Sequence, residues 1–444
     1  MNTHQPGRRR VAVIGSGVSG LTAAHVLHRH DDVTLFEADD RPGGHAHTHR
    51  VPGREGSELG VDSGFIVHNR RTYPHLLRLF DELGVSTRPT EMSLSVSCEG
   101  CGLEYAGARG LRALWPGRSR HGADYLRMLV EIPRFHRAAR RLITTARAVD
   151  PGTTAVGPTL GAFVARHGFS PYFTAHFLLP LVSAVWSCPA GTALDYPARH
   201  LFTFLEHHGM LGIWGSPRWR TVEGGSHAYV ERVVKNLHSV RLGTPVRGLT
   251  RTENGVRLRT DTEELEFDAA VVATHADQAL ALLDAPTPDE AEVLGAFTYS
   301  RNRTLLHTDT SVLPADRDTW ASWNHRLSSC DPGGAPADAD HAPTAPDRAP
   351  VRVSYHMNRL QGLPEGSDYV VTLNADDSVD PGRVIAAMDY THPVFTPASV
   401  AAQKRLRPLD GPTLAFAGAH HGWGFHEDGC RAGVEAAAAL GRAW

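Results

Sequence analysis

Three glycines and one acid offer the first chemistry. In "VAVIGSGVSGLTAAHVLHRHDDVTLFEADDRPGG", Gly15, Gly17 and Gly20 keep G-x-G-x-x-G spacing and Glu37 closes the next apolar run. Gly15 permits a tight turn, Gly17 lets the backbone approach a pyrophosphate, and Gly20 allows a helix to pack closely. The helix start then faces the phosphates, and Glu37 can accept ribose hydroxyls. Ser16 and Ser19 inside the loop, and Ala38 after the acid, join them as binding candidates. "ADDRPGG" adds Arg41 and a second glycine pair, Gly43 and Gly44, where backbone again comes close to a ligand.

Elements must hold these residues. "RVAVIG" reads as a buried parallel strand, "LTAAHVLHRH" as a helix and "VTLFE" as a second strand. Farther on, "TVEGGSHAYVERVVKNL" reads as a Gly-Gly turn and an amphipathic helix. "VRLGTPVRGLTRTENGVRLRTDTEELEFDAAVVATHADQAL" alternates like a meander, with "ENG" as a hairpin turn. "TLAFAGAHHGWGFHEDGCRAGVEAAAALGRAW" reads as strand, glycine-rich loop and helix. Gly418 ends that strand, Gly429 permits a close approach, and the helix start at Asp428 can stabilise negative charge on a reduced ring. The extra glycine pair suits a cofactor longer than a nicotinamide dinucleotide, running from adenosine to an isoalloxazine ring. FAD is the expected cofactor.

The stretch from Glu37 to Gly44 resembles the E-x-x-x-R-x-G-G signature of the flavin-containing amine oxidase and phytoene desaturase superfamily. "GVDSGFIVHN" looks like its D-x-G turn, which implies that Gly64 and Phe65 lie near the flavin. The resemblance further implies that the backbone of Val246 meets the adenine and that Thr274 stands near the end of the next buried strand. His45 stands where amine oxidases commonly have arginine. Longer stretches, among them "GFIVHNRRTYPHLLRLFDELGV", "HHGMLGIWGSPRWRTVEGGSHAYV" and "GWGFHEDG", resemble a narrower bacterial group of predicted NAD/FAD-binding proteins. Genes of that group accompany cyclopropane-fatty-acid synthases. Aromatic residues are common in the group where His68, His325 and His356 stand here. The expected fold is α/β, a discontinuous Rossmann-like FAD-binding domain with a mixed α+β substrate domain. The first takes residues 1–85, 215–285 and 405–444, the second 86–214 and 286–404, with a mobile insertion at 330–350 that is rich in Pro, Ala and Asp.

Composition excludes several classes. The 444 residues are 41% hydrophobic and 21% charged, with formal net charge −3 and no basic footprint for nucleic acid. No apolar run approaches the roughly 18 residues of a membrane span. Five sparse cysteines do not form a disulfide framework, and the arginines before "VAVIG" precede a run too short for a signal peptide. A cytoplasmic protein is expected. Cys98 and Cys101 have C-x-x-C spacing, but structural zinc takes four ligands and the sequence holds no second pair. The pair reads as a hairpin turn, and no metal is expected.

A flavin transfers hydride or electrons while the protein binds and orients. The leading expectation is oxidation, desaturation or isomerisation of an apolar substrate, a lipid acyl chain above all, for which "YFTAHFLLPLVSAVW" could line a tunnel. Core packing is the commoner meaning of such runs. His68, His356 and His421 are the candidates for moving the accompanying proton. Amine oxidation is an alternative, weakened because "FTYSRNRTLLHT" holds Arg301 and Arg303 but no lysine. A flavin-binding accessory subunit, partnered with a lipid methyltransferase, is a third reading that the resemblance implies.

Overall fold

A computed structural model describes residues 7–53, 56–116, 122–149, 157–212, 215–330, 351–364, 366–374 and 378–444. Apart from Cys330, the proposed insertion at 330–350 lies outside the described residues. The chain divides into two compact units: Met1–Arg88, Arg220–Thr298 and Ala398–Trp444 form the first, and Pro89–Trp219 with Tyr299–Pro397 the second.

The first unit is built on a five-stranded sheet in the order Ser239–Arg241, Asp32–Phe36, Arg10–Ile14, Ala269–Val272, Leu414–Phe416. All four neighbouring pairs in it are parallel. Val11, Ala12, Val13, Ala269, Ala270 and Val271 have no exposed surface, as expected of strands covered on both faces. Beside it lies an antiparallel meander, Val246–Thr252, Gly255–Thr260 and Glu264–Phe267. Its first turn is only Glu253 and Asn254, because Gly255 already pairs with Thr252.

All four boundaries are shifted from expectation, two of them most. Residues 286–298, expected in the substrate domain, belong to the first unit. The reason is electrostatic and local: Glu290 of the helix Pro288–Gly295 pairs with Arg251, and Arg405 holds Asp289 at 3.0 Å and also Glu292. Residues 398–404 join it too, where Gln403 donates to the His420 carbonyl at 2.9 Å.

The second unit carries a seven-stranded mixed sheet in the order Val384–Val394, Thr298–His307, Val370–Leu373, Val353–His356, Trp323–Leu327, Leu94–Cys98, Glu104–Gly107. Leu94–Cys98 runs parallel to Trp323–Leu327 and antiparallel to Glu104–Gly107. The run 172–186 is core rather than tunnel wall. Phe173, Leu178 and Val182 have no exposed surface, and Phe135 packs against the rings of Phe163, Phe169, Phe173 and Phe202.

Candidate active site

The glycine loop follows the strand Arg10–Ile14. Gly15 turns with φ +97°, and a Cβ there would lie 2.8 Å from the Ala273 carbonyl oxygen. A Cβ on Gly20 would lie 1.9 Å from the Gly15 oxygen, so the helix Val18–Leu27 can sit this close only without a side chain. Gly17 is different. It caps that helix with ordinary φ −61°, and a Cβ built on it meets nothing within 4 Å. The folded chain does not demand glycine there; the space in front of it does. No side chain caps the helix, so its first N–H groups lack an intrahelical partner and point at that space. A diphosphate would be held at such a helix start.

Glu37 stands beside it. Its carboxylate accepts from Ser16 N at 2.8 Å, Ser16 Oγ and Asp39 N at 3.0 Å. A carboxylate offers about four acceptor positions, so three are taken and room remains for a ribose hydroxyl. Ser16 Oγ in turn accepts from Gly43 N at 2.9 Å, which ties the second glycine turn to the first. Gly43 and Gly44 have φ +112° and +55°, and Arg41 Nη1 donates to the Gly44 carbonyl at 3.0 Å. Ala38 is exposed, whereas Gly44, His45, Gly64 and Thr274 are half-buried.

The D-x-G turn is braced from within. Asp62 is wholly buried and accepts from Ser226 N at 2.9 Å, Ser226 Oγ at 2.8 Å and Thr48 Oγ1. Burial outweighs these bonds and raises its pKa to about 6. Phe65 N donates to the His45 carbonyl at 2.7 Å, and a Cβ on Gly64 would lie 2.2 Å from that same oxygen. Val246 begins the first meander strand, nearly buried. Gly418 lies two residues past the strand Leu414–Phe416 and abuts His420, whose ring would collide with a Cβ there.

Several expected contact residues serve the protein itself. Asp428 is buried and accepts from Trp423 N at 3.0 Å and Phe425 N at 3.1 Å, closing the loop before the helix His426–Ala439. A Cβ on Gly429 would stand 2.6 Å from Val18 Cγ1 and 2.9 Å from Ser19 Oγ. Its close approach is therefore to the glycine-loop helix, which also buries Ser19.

The three histidine candidates differ in what their nitrogens can do. His421 Nδ1 lies 2.7 Å from Arg407 Nη2, which can only donate, so the ring carries its proton on Nε2 and acts as a donor. Burial and Arg407 hold it neutral, well below its usual pKa. His68 has no exposed surface and sits between Phe65, Tyr73 and Phe80, with neither ring nitrogen bonded among the described residues. It faces aromatic packing, not an opening. His356, in the second unit, holds Asp368 at 3.0 Å through Nε2, which leaves its buried Nδ1 without a bond among the described residues. Burial lowers its pKa although Asp368 opposes the shift.

The sequence reading missed His426. Its ring stacks on Phe65 with centroids 3.7 Å apart and lies 3.2 Å from the Tyr229 hydroxyl, and burial lowers its pKa to about 3. The signal was its place in "GWGFHEDG", at the first turn of the last helix. The fold also brings Cys330 and His176 to the C-x-x-C pair, a convergence that spacing does not reveal.

Comparison with known proteins names the class. The family model described as flavin containing amine oxidoreductase matches residues 18–441. The chain belongs to this family of flavin-dependent oxidoreductases, and its cofactor is FAD. Relatives include the monoamine oxidase-like protein AofH of Mycobacterium tuberculosis, 27% identical over 66% of this chain and 63% of AofH. This chain thus spans 63% of the length of that relative. Coproporphyrinogen III oxidase of Mycobacterium bovis is 26% identical over 93% of each chain. Among solved structures, cyclohexylamine oxidase of Brevibacterium oxydans superposes with TM-score 0.66 at 17% identity, over 98% of each chain. A CLA-producing fatty acid isomerase from P. acnes gives 0.61 at 16%, over 97% of this chain and 98% of the isomerase. At these identities the likeness is one of fold.

Proposed function

We propose that the protein is an FAD-dependent oxidoreductase that removes hydride from carbon in an apolar substrate, a lipid acyl chain, in oxidation, desaturation or isomerisation. FAD, when bound, supplies the hydride acceptor. The glycine turns and Glu37 hold it, and the chain must then manage the proton that leaves the substrate with the hydride.

The observation that carries this reading is the pair of glycine turns joined through Ser16 to Glu37, and the His356–Asp368 pair is proposed beside it as the proton acceptor. A carboxylate on Nε2 fixes the ring as a neutral base with its lone pair on Nδ1, the arrangement a proton acceptor needs. His421, locked as a donor, supports the other role, a hydrogen bond to developing negative charge. Neither of the chain's lysines, Lys235 and Lys404, is buried. The fold likeness to a fatty acid isomerase supports the lipid class, while the core packing of 172–186 lends it nothing.

Amine oxidation is the second reading, favoured by AofH and cyclohexylamine oxidase. A porphyrinogen is the third, favoured by the relative matched along 93% of both chains. The test is anaerobic mixing of the purified holoprotein with fatty-acyl lipids, a panel of amines and a porphyrinogen, following bleaching of the flavin band. Bleaching by lipids that slows by roughly 10²–10⁴ in His356→Gln supports the proposal. Bleaching by amines or porphyrinogen alone overturns it. Turnover only beside a lipid methyltransferase would assign the accessory role instead.

A further inference from the structure

Four side chains of the second unit converge on one point. Cys98, Cys101, Cys330 and His176 each offer a ligand atom, and the four atoms all lie within 4.8 Å of one another. Two of the spacings are informative. Cys98 Sγ and Cys330 Sγ are 3.8 Å apart, and Cys101 Sγ lies 3.6 Å from His176 Nε2. A tetrahedral zinc with Zn–S near 2.3 Å and Zn–N near 2.0–2.1 Å would have S···S edges of about 3.8 Å and S···N edges of about 3.5 Å. A disulfide would bring two sulfurs to about 2.05 Å, and all five cysteines are free.

We propose that Cys98, Cys101, His176 and Cys330 form a closed structural zinc site. The backbone is arranged for it. Cys98 ends its strand, its carbonyl accepts from Gly102 N at 2.9 Å, and its own N–H donates to Leu103 O at 2.8 Å, so the two sulfurs of the turn point to one side. Gly102 takes φ +72°, which favours glycine directly after Cys101. Parallel pairing of Cys98 with Leu327, extended by Glu99 N to Leu327 O at 2.9 Å, brings the chain that carries Cys330 alongside. A Cβ on Gly100 would stand 3.1 Å from Cys330 N and 3.3 Å from its sulfur, so the turn closes on that cysteine without room for a side chain.

His176 completes the set. Its Nδ1 lies 3.1 Å from the Tyr172 carbonyl, an acceptor, so Nδ1 carries the proton and Nε2 presents its lone pair to the sulfurs. Its ring stacks on Tyr172 at 4.0 Å, and its carbonyl accepts the Tyr105 hydroxyl at 2.8 Å. The residue sits in a single π-helical turn, Thr174–Leu178, set between two α-helical segments. Such turns are uncommon and concentrate at functional positions. Three thiolates and one imidazole form a soft set of four with no position open for water, which is the ligand count of structural rather than catalytic zinc. Binding displaces three thiol protons to solvent, and the metal would clamp together a hairpin, a helix and a strand end that are far apart in sequence.

The test is metal analysis of the full-length protein purified after expression with added zinc. One zinc per chain is expected, with visible absorption of a tetrahedral thiolate site once cobalt replaces it. Cys330→Ser, at an exposed position that the core does not depend on, should lose the metal, and so should His176→Gln. Cys188→Ala, a buried cysteine outside the cluster, should keep it. A wild-type chain that takes up neither zinc nor cobalt overturns the site. So does a Cys330→Ser chain with unchanged zinc, a Cys98–Cys330 disulfide in the metal-free protein, or iron in place of zinc in the same four ligands.

Discussion

A Cβ built on Gly44 would stand 3.2 Å from the Cα of Gly17: the two glycine turns meet backbone to backbone. Ser16 bridges the same gap, donating to Glu37 and accepting from Gly43. The fingerprint loop and the later glycine pair are thus one piece of structure, and substitutions in it separate ligand binding from folding.

Gly17→Val should fold and stay colourless. Its Cβ meets no protein atom, so the apoprotein should melt within about 1 kcal/mol of the wild-type apoprotein, a small change at a helix cap. Flavin absorbance and melting temperature read the two effects. Retained FAD would show that the space before Gly17 is not the diphosphate site, and an apoprotein that no longer folds would show that the fold itself demands glycine there.

Glu37→Ala should weaken FAD and loosen the loop together, because the carboxylate holds Ser16 and Asp39 and would hold the ribose of bound FAD. Each charge-assisted bond lost is worth roughly 1.5–3 kcal/mol, so the FAD dissociation constant should rise by a factor of ten or more. Glu37→Gln keeps part of the acceptor set and should lie between. Unchanged affinity in Glu37→Ala would remove the acid from the binding site.

Gly433→Ala should destabilise the first unit although alanine favours helices by about 1 kcal/mol. A Cβ there would stand 2.3 Å from Ser19 O and 3.0 Å from Ala23 N, backbone that cannot give way cheaply. The net loss should be roughly 1–3 kcal/mol in denaturant unfolding, as for other overpacked contacts. A gain in stability would mean that the two helices pack less tightly than described.

The pH dependence should be set by buried histidines. Burial lowers His325 to about 4, against 6.5 in a solvated chain. Between those values the unfolded chain binds the proton and the folded chain does not, so stability falls as pH drops below 6.5 and is unaffected above it. One such histidine accounts for roughly 2 kcal/mol between pH 7 and pH 5. His47, His136, His200 and His307 are lowered in the same direction. Asp62, raised to about 6, acts in the opposite sense and offsets a part. His325→Phe should therefore flatten the acid side of the melting-temperature profile. An unaltered slope would mean that this ring is protonated in the folded protein.

Much of the first unit was legible because its signals are local. Gly15, Gly20 and Glu37 lie within one strand–helix–strand passage, where spacing alone fixes who meets whom. At Gly429 a glycine that admits a ligand and one that admits a helix look alike in sequence, and only the 2.6 Å approach of Val18 shows that it admits the helix. His176 was invisible for a different reason. A π turn breaks the 3.6-residue period, and its partner cysteines arrive through a parallel strand pairing between Ser97 and Arg326 that no local pattern encodes. Tautomers were equally beyond reach, since Arg407 and Asp368 give His421 and His356 opposite roles from positions the sequence leaves unconnected.

The order of strands in the first sheet has a consequence for how the protein is made. Val272 pairs with Phe416, so the sheet begun by residues 10–14 is finished by residues that leave the ribosome after the whole second unit. Ala269–Val272 can pair with residues 10–14 at once, but the nascent chain must carry its other, apolar edge unpaired while more than a hundred further residues are translated. Edges of that kind recruit strands from other chains. A chain arrested before residue 414 is accordingly a seed for aggregation rather than a shortened enzyme, and the cell's interest lies in shielding that edge until synthesis is complete.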